Sequence, residues 1–201
     1  MIIEIKDWRG LIIVEKIKNY SLVMYNIIRI SLIRIFKSVK ISGGQRLLMS
    51  RKAKLNLHKN STLKMARVVS IRENANIEVC ENGYLSIGEN SSLNKNVEIV
   101  VRKKVTIGNN VGIGPNTLIY DHDHDYKNNY VGFTTKEVII GDNCWIGGNC
   151  IILKGTVIGD NCVIGAGTTI KGNIPSNTLV INKQNLVLKS INNKYTIDLT
   201  K

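Results

Sequence analysis

Aromatic residues, proline and cysteine are all scarce in this chain of 201 residues, which has two Pro, two Phe, two Trp, three His and four Cys, with 5% aromatic residues overall. No zinc-finger spacing, aromatic-basic RNA pattern or helix-turn-helix is present, so a net charge of +13 speaks only for unspecific attraction to nucleic acid. The four Cys (80, 144, 150 and 162) are not preceded by a small-residue cleavage site after the N-terminal apolar run. A secreted disulfide scaffold is thereby unsupported, and a reducing cytoplasm is the expected setting. A long hydrophobic run is missing too. The most apolar region, Leu11 to Phe36, is broken by Glu15, Lys16, Lys18, Arg29 and Arg34, and its longest uncharged stretch, Asn19 to Ile28, is about half of what a spanning helix needs.

The basic excess is uneven. Residues 1 to 54 carry 12 Lys/Arg against 3 Asp/Glu, whereas residues 55 to 201 carry 16 against 12. With 43% apolar and 21% charged residues, the bulk of the chain is expected to fold around a real core.

What is abundant is repetition. From Ile140 the sequence reads IIGDNC WIGGNC IILKGT VIGDNC VIGAGT TIKGN, with an aliphatic residue at 140, 146, 152, 158, 164 and 170. Gly follows it at 141, 147, 159 and 165, and the register recurs upstream at Ile107-Gly108, Ile113-Gly114 and Ile119, at Ile87-Gly88, Leu93 and Ile99, and faintly through Leu57, Leu63 and Val69. A period of six fits neither a helix nor a simple alternation, so each unit reads as one short strand plus one turn, three units to a triangular coil. The aliphatic residue points inward, the Gly tolerates the geometry of the corner, and the fifth position must be small. Cys144, Cys150 and Cys162 fall on that fifth position, with Val111, Thr117, Thr156 and Thr168, and so read as buried fillers.

The register breaks twice. Between Ile99 and Ile107 it counts two residues too many, read as a bulge holding Arg102, Lys103 and Lys104. Between Ile119 and Ile140 it counts 15 too many, so 121–136 must leave the coil as a loop, and long insertions in solenoids are often functional. The expected organisation is a basic amphipathic helical segment over 1–44, one helix or a pair, with Ile17, Tyr20, Met24, Ile27, Ile28, Ser31 and Ile35 at helical steps. Ser42-Gly43-Gly44 reads as a linker into a solenoid over 45–181, and 182–201 as a capping tail. The helical segment is expected either to cover the open end of the prism, to pack against other copies of the chain, or to lie on an anionic membrane surface.

The inserted loop holds two of the three His, His122 and His124, among Asp121, Asp123 and Asp125; the third is His58. A loop imidazole here can serve as a general base, with a neighbouring carboxylate or a backbone carbonyl orienting it. A metal site of the three-His hydratase kind is argued against by the spacing, because the pair is separated by a single residue. Trp145 falls where a coil residue should point outward, and is expected beside the loop, either packed under it, at a subunit contact, or at a substrate.

Together, the repeats over 87–180, the loop DHDHDY and the run IGDNCWIGGNCIILKGTVIGDNCVIGAGTTI resemble the hexapeptide-repeat acyltransferases, in particular the sugar and polysaccharide O-acetyltransferases. The resemblance covers about half the chain. It implies an all-β fold, a left-handed parallel β-helix, with acetyl-CoA as donor, no metal requirement, a saccharide acceptor, and a homotrimer whose sites lie between prisms. His122 matches the family's catalytic base and His124 is the weaker candidate; Asp121 is one candidate to orient the ring, and Trp145 matches the Trp of the family's N-x-W-I-G run. Gly148 and Ala166 match positions along the pantetheine arm, and Lys171 and Lys189 are the nearest matches to a basic residue at the nucleotide phosphates. After IPSNT this chain has VINKQN in place of the usual Gly- and Pro-containing turn. The implied activity is direct O-acetylation of a sugar or surface-polysaccharide precursor in the cytoplasm, in peripheral contact with the inner face of the membrane through residues 1–40. The alternatives are N-acetylation of an amino sugar and a non-catalytic scaffold.

Overall fold

In the computed structural model, which describes residues 8–36 and 38–183, the chain is a parallel β-solenoid of the left-handed β-helix type behind one N-terminal helix. Three parallel sheets form the faces of a triangular prism: face I from Lys40–Gly43 to Asn173–Ile174, face II from Arg46–Met49 to Leu179–Val180, and face III from Lys54–Leu57 to Thr169–Ile170. Faces I and II have seven strands each and face III has six.

The prism is not uniform along its axis. In the first coils Lys40 pairs with Thr62 and Thr62 with Tyr84, a period of 22 residues, whereas beyond the loop Ile139 pairs with Val157, a period of 18. The longer coils use four-residue strands in which two side chains point inward, as in Leu55 and Leu57, Ile77 and Val79, or Val105 and Ile107. Only the later coils use the strict hexapeptide, one large aliphatic residue and one small filler per side. The excess between Ile99 and Ile107 is therefore no local bulge. It comes from two four-residue strands, Glu98–Val101 and Lys104–Ile107, joined by the tight corner Arg102-Lys103. Likewise Ser42-Gly43 is no linker, because Lys40–Gly43 is already the first strand of face I.

The corner residue proper is asparagine. Asn90, Asn110, Asn143, Asn161 and Asn177 all have φ between 57° and 61° or, for Asn110, 54°, in the left-handed region that Asn tolerates. Their side chains form a ladder up the edge, Asn90 to Asn110 to Asn143 to Asn161 to Asn177, each Nδ2 donating to the next Oδ1 at 3.0–3.4 Å. The Gly after each aliphatic residue serves a different need from the one the repeat suggests. A Cβ on Gly147 would stand 2.5 Å from the Ala166 nitrogen, so this residue is small because the next coil stacks directly on it, and not because of a positive φ. The fillers are as expected: Cys144, Cys150, Cys162, Thr117 and Thr156 are buried, and all four Cys are free thiols.

The helix α1, Trp8–Phe36, is single and continuous. It covers the first coil. Asn26 Nδ2 donates to the Leu47 and Met49 carbonyls (3.2 and 2.9 Å), Arg29 to the Ala53 carbonyl (3.0 Å) and Arg34 to the Ile41 carbonyl (2.8 Å), while Ile30 is buried on the core. Backbone acceptors at the end of a solenoid otherwise lack partners, and these side chains supply them. Among the described residues no helix is long and apolar enough to cross a membrane.

Candidate active site

The inserted segment leaves face III after Leu118–Tyr120 and returns to face I at Val138–Ile140 as an antiparallel hairpin, His122–His124 against Phe133–Thr135. A 3-10 turn over Tyr126–Asn128, capped by Asp125, closes its tip. Alternation along the hairpin strand puts His122 and His124 on one side and Asp123 on the other. On the first side the Phe133 ring sits 5.4 Å from the His122 ring and 4.6 Å from that of His124. On the other, Lys154 from the next coil pairs with Asp123 at 3.0 Å and donates to Thr134, fastening the hairpin to the prism.

At the root of the hairpin lies Asp121, fully buried. Its carboxylate accepts three consecutive backbone N–H groups from the tight corner below, Arg102 at 2.9 Å, Lys103 at 2.6 Å and Lys104 at 2.7 Å, and the fourth contact is His122 Nδ1 at 3.1 Å. A buried carboxylate needs such partners, and a run of adjacent amides is a concave anion site. Of the candidates to orient the imidazole, Asp121 is the one in contact. Its negative charge favours the proton on Nδ1, which leaves the Nε2 lone pair as the basic atom. The ring is nearly buried, flanked edge-on by Tyr120 at 5.9 Å and by Phe133, over which the Arg102 guanidinium also lies, 3.3 Å from its centroid. The Tyr120 hydroxyl donates to Glu98, and burial, reinforced by that carboxylate, pushes its pKa up to about 12. Arg102, Tyr120, Phe133 and Lys154 escape a motif search; the one signal was the departure from six at 99–107, which marks the corner that holds Asp121.

The remaining predicted residues are not gathered around His122 in one chain. Trp145 stands 55% exposed on face II with its indole laid over Gly112, away from the hairpin and not beside it. Gly148 and Ala166 stack at the edge between faces II and III, where the Gly167 N–H donates to the Gly148 carbonyl. Lys171 is exposed at the edge between faces III and I, the edge from which the hairpin emerges, and a hollow of about 550 Å³ there is lined by Lys103, Lys136, Glu137 and Val157. Lys189 lies outside the described residues. Among the described residues no group of three His, Cys, Asp or Glu side chains is placed to hold a metal ion.

Residues 137–172 match the bacterial transferase hexapeptide repeat family. Over 162 residues the chain is 35% identical to a protein of Saccharomyces cerevisiae provisionally named an acetyltransferase, covering 72% of this chain and 83% of that one. It is 32% identical over 114 residues to galactoside O-acetyltransferase of Escherichia coli, covering 55% and 56% of the two chains. The crystal structure of a maltose O-acetyltransferase from Clostridium difficile superposes with a TM-score of 0.51 at 35% identity, over 56% of this chain and 61% of that one. The chain thus spans little more than half the length of the galactoside and maltose enzymes. A hexapeptide prism interrupted by a His-bearing hairpin, with a relative that matches over most of its length, places this chain in the hexapeptide-repeat acyltransferase family.

Proposed function

We propose that the protein transfers an acetyl group from acetyl-CoA to a hydroxyl of a saccharide, with His122 as general base. The observation that carries this reading is the pairing of His122 Nδ1 with a buried carboxylate that three backbone amides hold in place. His122 Nε2 takes the proton of the acceptor hydroxyl as its oxygen attacks the thioester carbonyl carbon; the C–S bond then breaks and the imidazolium returns the proton to the departing thiolate. Acyl transfer within one ternary complex needs no covalent enzyme intermediate. A backbone N–H or the Trp145 indole helps hold the developing oxyanion.

The separation of His122 from Trp145, Gly148 and Ala166 supports a homotrimer in which a cleft between neighbouring prisms completes the site. The hairpin and Lys171 come from one prism, the exposed Trp145 and the Gly148/Ala166 edge from the next. A saccharide acceptor fits the names of the galactoside and maltose relatives.

The test is thiol release from acetyl-CoA across a panel of mono- and oligosaccharides and amino sugars. A hydroxyl acceptor is expected to be turned over, and His122→Ala to lower turnover by about 10² to 10⁴ with an unchanged particle mass. An active His122→Ala variant, or turnover confined to amino groups, refutes the assignment.

A further inference from the structure

The apolar stripe of α1 points away from the prism. Tyr20 is 70% exposed, Ile28 57% and Ile35 72%, with Met24, Ile27 and Leu32 exposed beside them, while the side that packs on the first coil is built from Asn26, Ile30 and half-buried Ile33. A soluble helix normally turns its apolar face inward, and a contiguous exposed stripe marks a contact surface. The stripe cannot swing inward, because Asn26, Arg29 and Arg34 tie the other side of the helix to prism carbonyls.

The charge around the stripe is mostly positive, the acids near it being Glu73, which lines a second groove beside α1 with Arg51, Lys52 and Arg72, and Glu89, which lies 3.6 Å from Arg67. Between Glu15 and Glu73 the sequence has no Asp or Glu at all, and the 57 residues in between hold 14 Lys and Arg, more than the +13 excess of the whole chain. These residues are most of α1, the first coil and the start of the second, so the basic excess is a property of one end of the prism. Arg46, Arg51, Lys52, Lys54, Lys59, Lys64 and Arg67 are exposed there. Where α1 crosses face II a groove of about 800 Å³ combines both chemistries, with Tyr20, Val23, Met24 and Leu48 against Arg46 and Arg67.

We propose that this capped end docks on an anionic lipid surface, with α1 lying in the plane of the interface. Tyr20, Met24, Ile28 and Ile35 enter the acyl boundary, and the cations of the first coil meet the headgroup phosphates. A second copy is the poorer occupant: symmetric pairing would set one strongly basic surface against another, with too few acids to neutralise either. In a cyclic trimer all three caps would face the same side, and their attachments would reinforce one another.

Deleting the helix would strip the carbonyl partners from the first coil, so point variants test the idea better. The full chain is sedimented with vesicles of phosphatidylcholine alone or with phosphatidylglycerol added, at low and high salt. Binding is expected only with the anionic lipid and is expected to weaken in high salt. Arg51→Gln/Lys52→Gln is expected to lower partitioning about 25-fold, each cation near the surface contributing about fivefold. Ile28→Ser/Ile35→Ser is expected to lower it at least tenfold, with unchanged melting temperature, light-scattering mass and turnover of a soluble acceptor. Equal binding to neutral vesicles, no binding to anionic ones, or a lower mass for Ile28→Ser/Ile35→Ser overturns the proposal, the last by making the stripe an interface between copies. Turnover is read separately, so loss of this inference leaves the catalytic one standing.

Discussion

Replacing Asp121 by Asn separates the orienting role of this residue from its structural one. The carboxylate takes two amides on Oδ2 (Lys103, Lys104), and one amide plus His122 Nδ1 on Oδ1 (Arg102). An amide side chain must aim its NH2 at one of these two sets. At the Oδ2 position it opposes two N–H donors; at the Oδ1 position it opposes Arg102 N–H and makes His122 Nδ1 an acceptor, which moves the ring proton to Nε2 and removes the base. Hydrogen bonds to a charged group are worth about 1.5–3 kcal/mol and a neutral replacement about half that, so two amides that keep an acceptor lose about 1.5–3 kcal/mol together and the third, left without one, about 1–3 more, a loss in stability of about 2.5–6 kcal/mol. For a chain of this size that is a fall in Tm of roughly 5–24 °C. Asp121→Ala is the harsher change: three buried amides without partners cost about 3–9 kcal/mol, comparable with the stability of a typical domain. The assay is thiol release at saturating acetyl-CoA alongside a thermal melt. Asp121→Asn is expected to fold, to lose part of its Tm, and to lose about 10² or more in kcat with little change in KM for acetyl-CoA. If kcat stays within twofold of the parent while His122→Ala is inactive, the imidazole does not depend on Asp121 and the reasoning fails.

Ultraviolet titration is expected to show one of the seven Tyr ionising last, near pH 12, and Tyr120→Phe to abolish that step. Because the folded pKa is raised above the ordinary value near 10, the contribution of this phenol to stability is whole below pH 10 and is lost as pH rises towards 12. Gly147→Ala, which drives a Cβ to 2.5 Å from the Ala166 nitrogen, is expected to lower the midpoint of chemical unfolding far more than Gly167→Ala, where a Cβ meets nothing within 4 Å and only the positive φ opposes it. At Asn143, φ 57°, Ala is expected to destabilise by about 1–2 kcal/mol and Gly by less, since Gly keeps the backbone freedom and loses only the ladder hydrogen bonds. A thiol reagent added to the native protein is expected to spare Cys144, Cys150 and Cys162 and to label all four Cys after unfolding; burial also pushes the Cys144 thiol up, keeping it protonated. Rapid labelling of the three in the folded state would contradict their place in the core.

The coil was legible in the sequence wherever one aliphatic residue and one small residue suffice per side, because parallel stacking forces the same spacing on every turn. Leu55 with Leu57, or Val105 with Ile107, blurred that spacing, since a four-residue strand points two large side chains inward and the interval no longer equals six. The Asn ladder is hidden for a similar reason: Gly is the residue with conformational freedom, yet its column answers to the close approach of the next coil and Asn holds the left-handed corners.

By itself the sequence determined the six-residue grammar, the place where a hairpin must leave it, and the His and Asp residues that hairpin carries. These are local facts, written in spacing. Only the tertiary structure decided which Asp faces His122, because the partners of Asp121 are the main-chain amides of a corner 17 to 19 residues away, and backbone groups leave no mark in side-chain patterns. It also decided which side of α1 is covered. The helical spacing of Tyr20, Met24, Ile28 and Ile35 says that they share a face, but the polar side chains that bond the prism's open carbonyls turned that face outward.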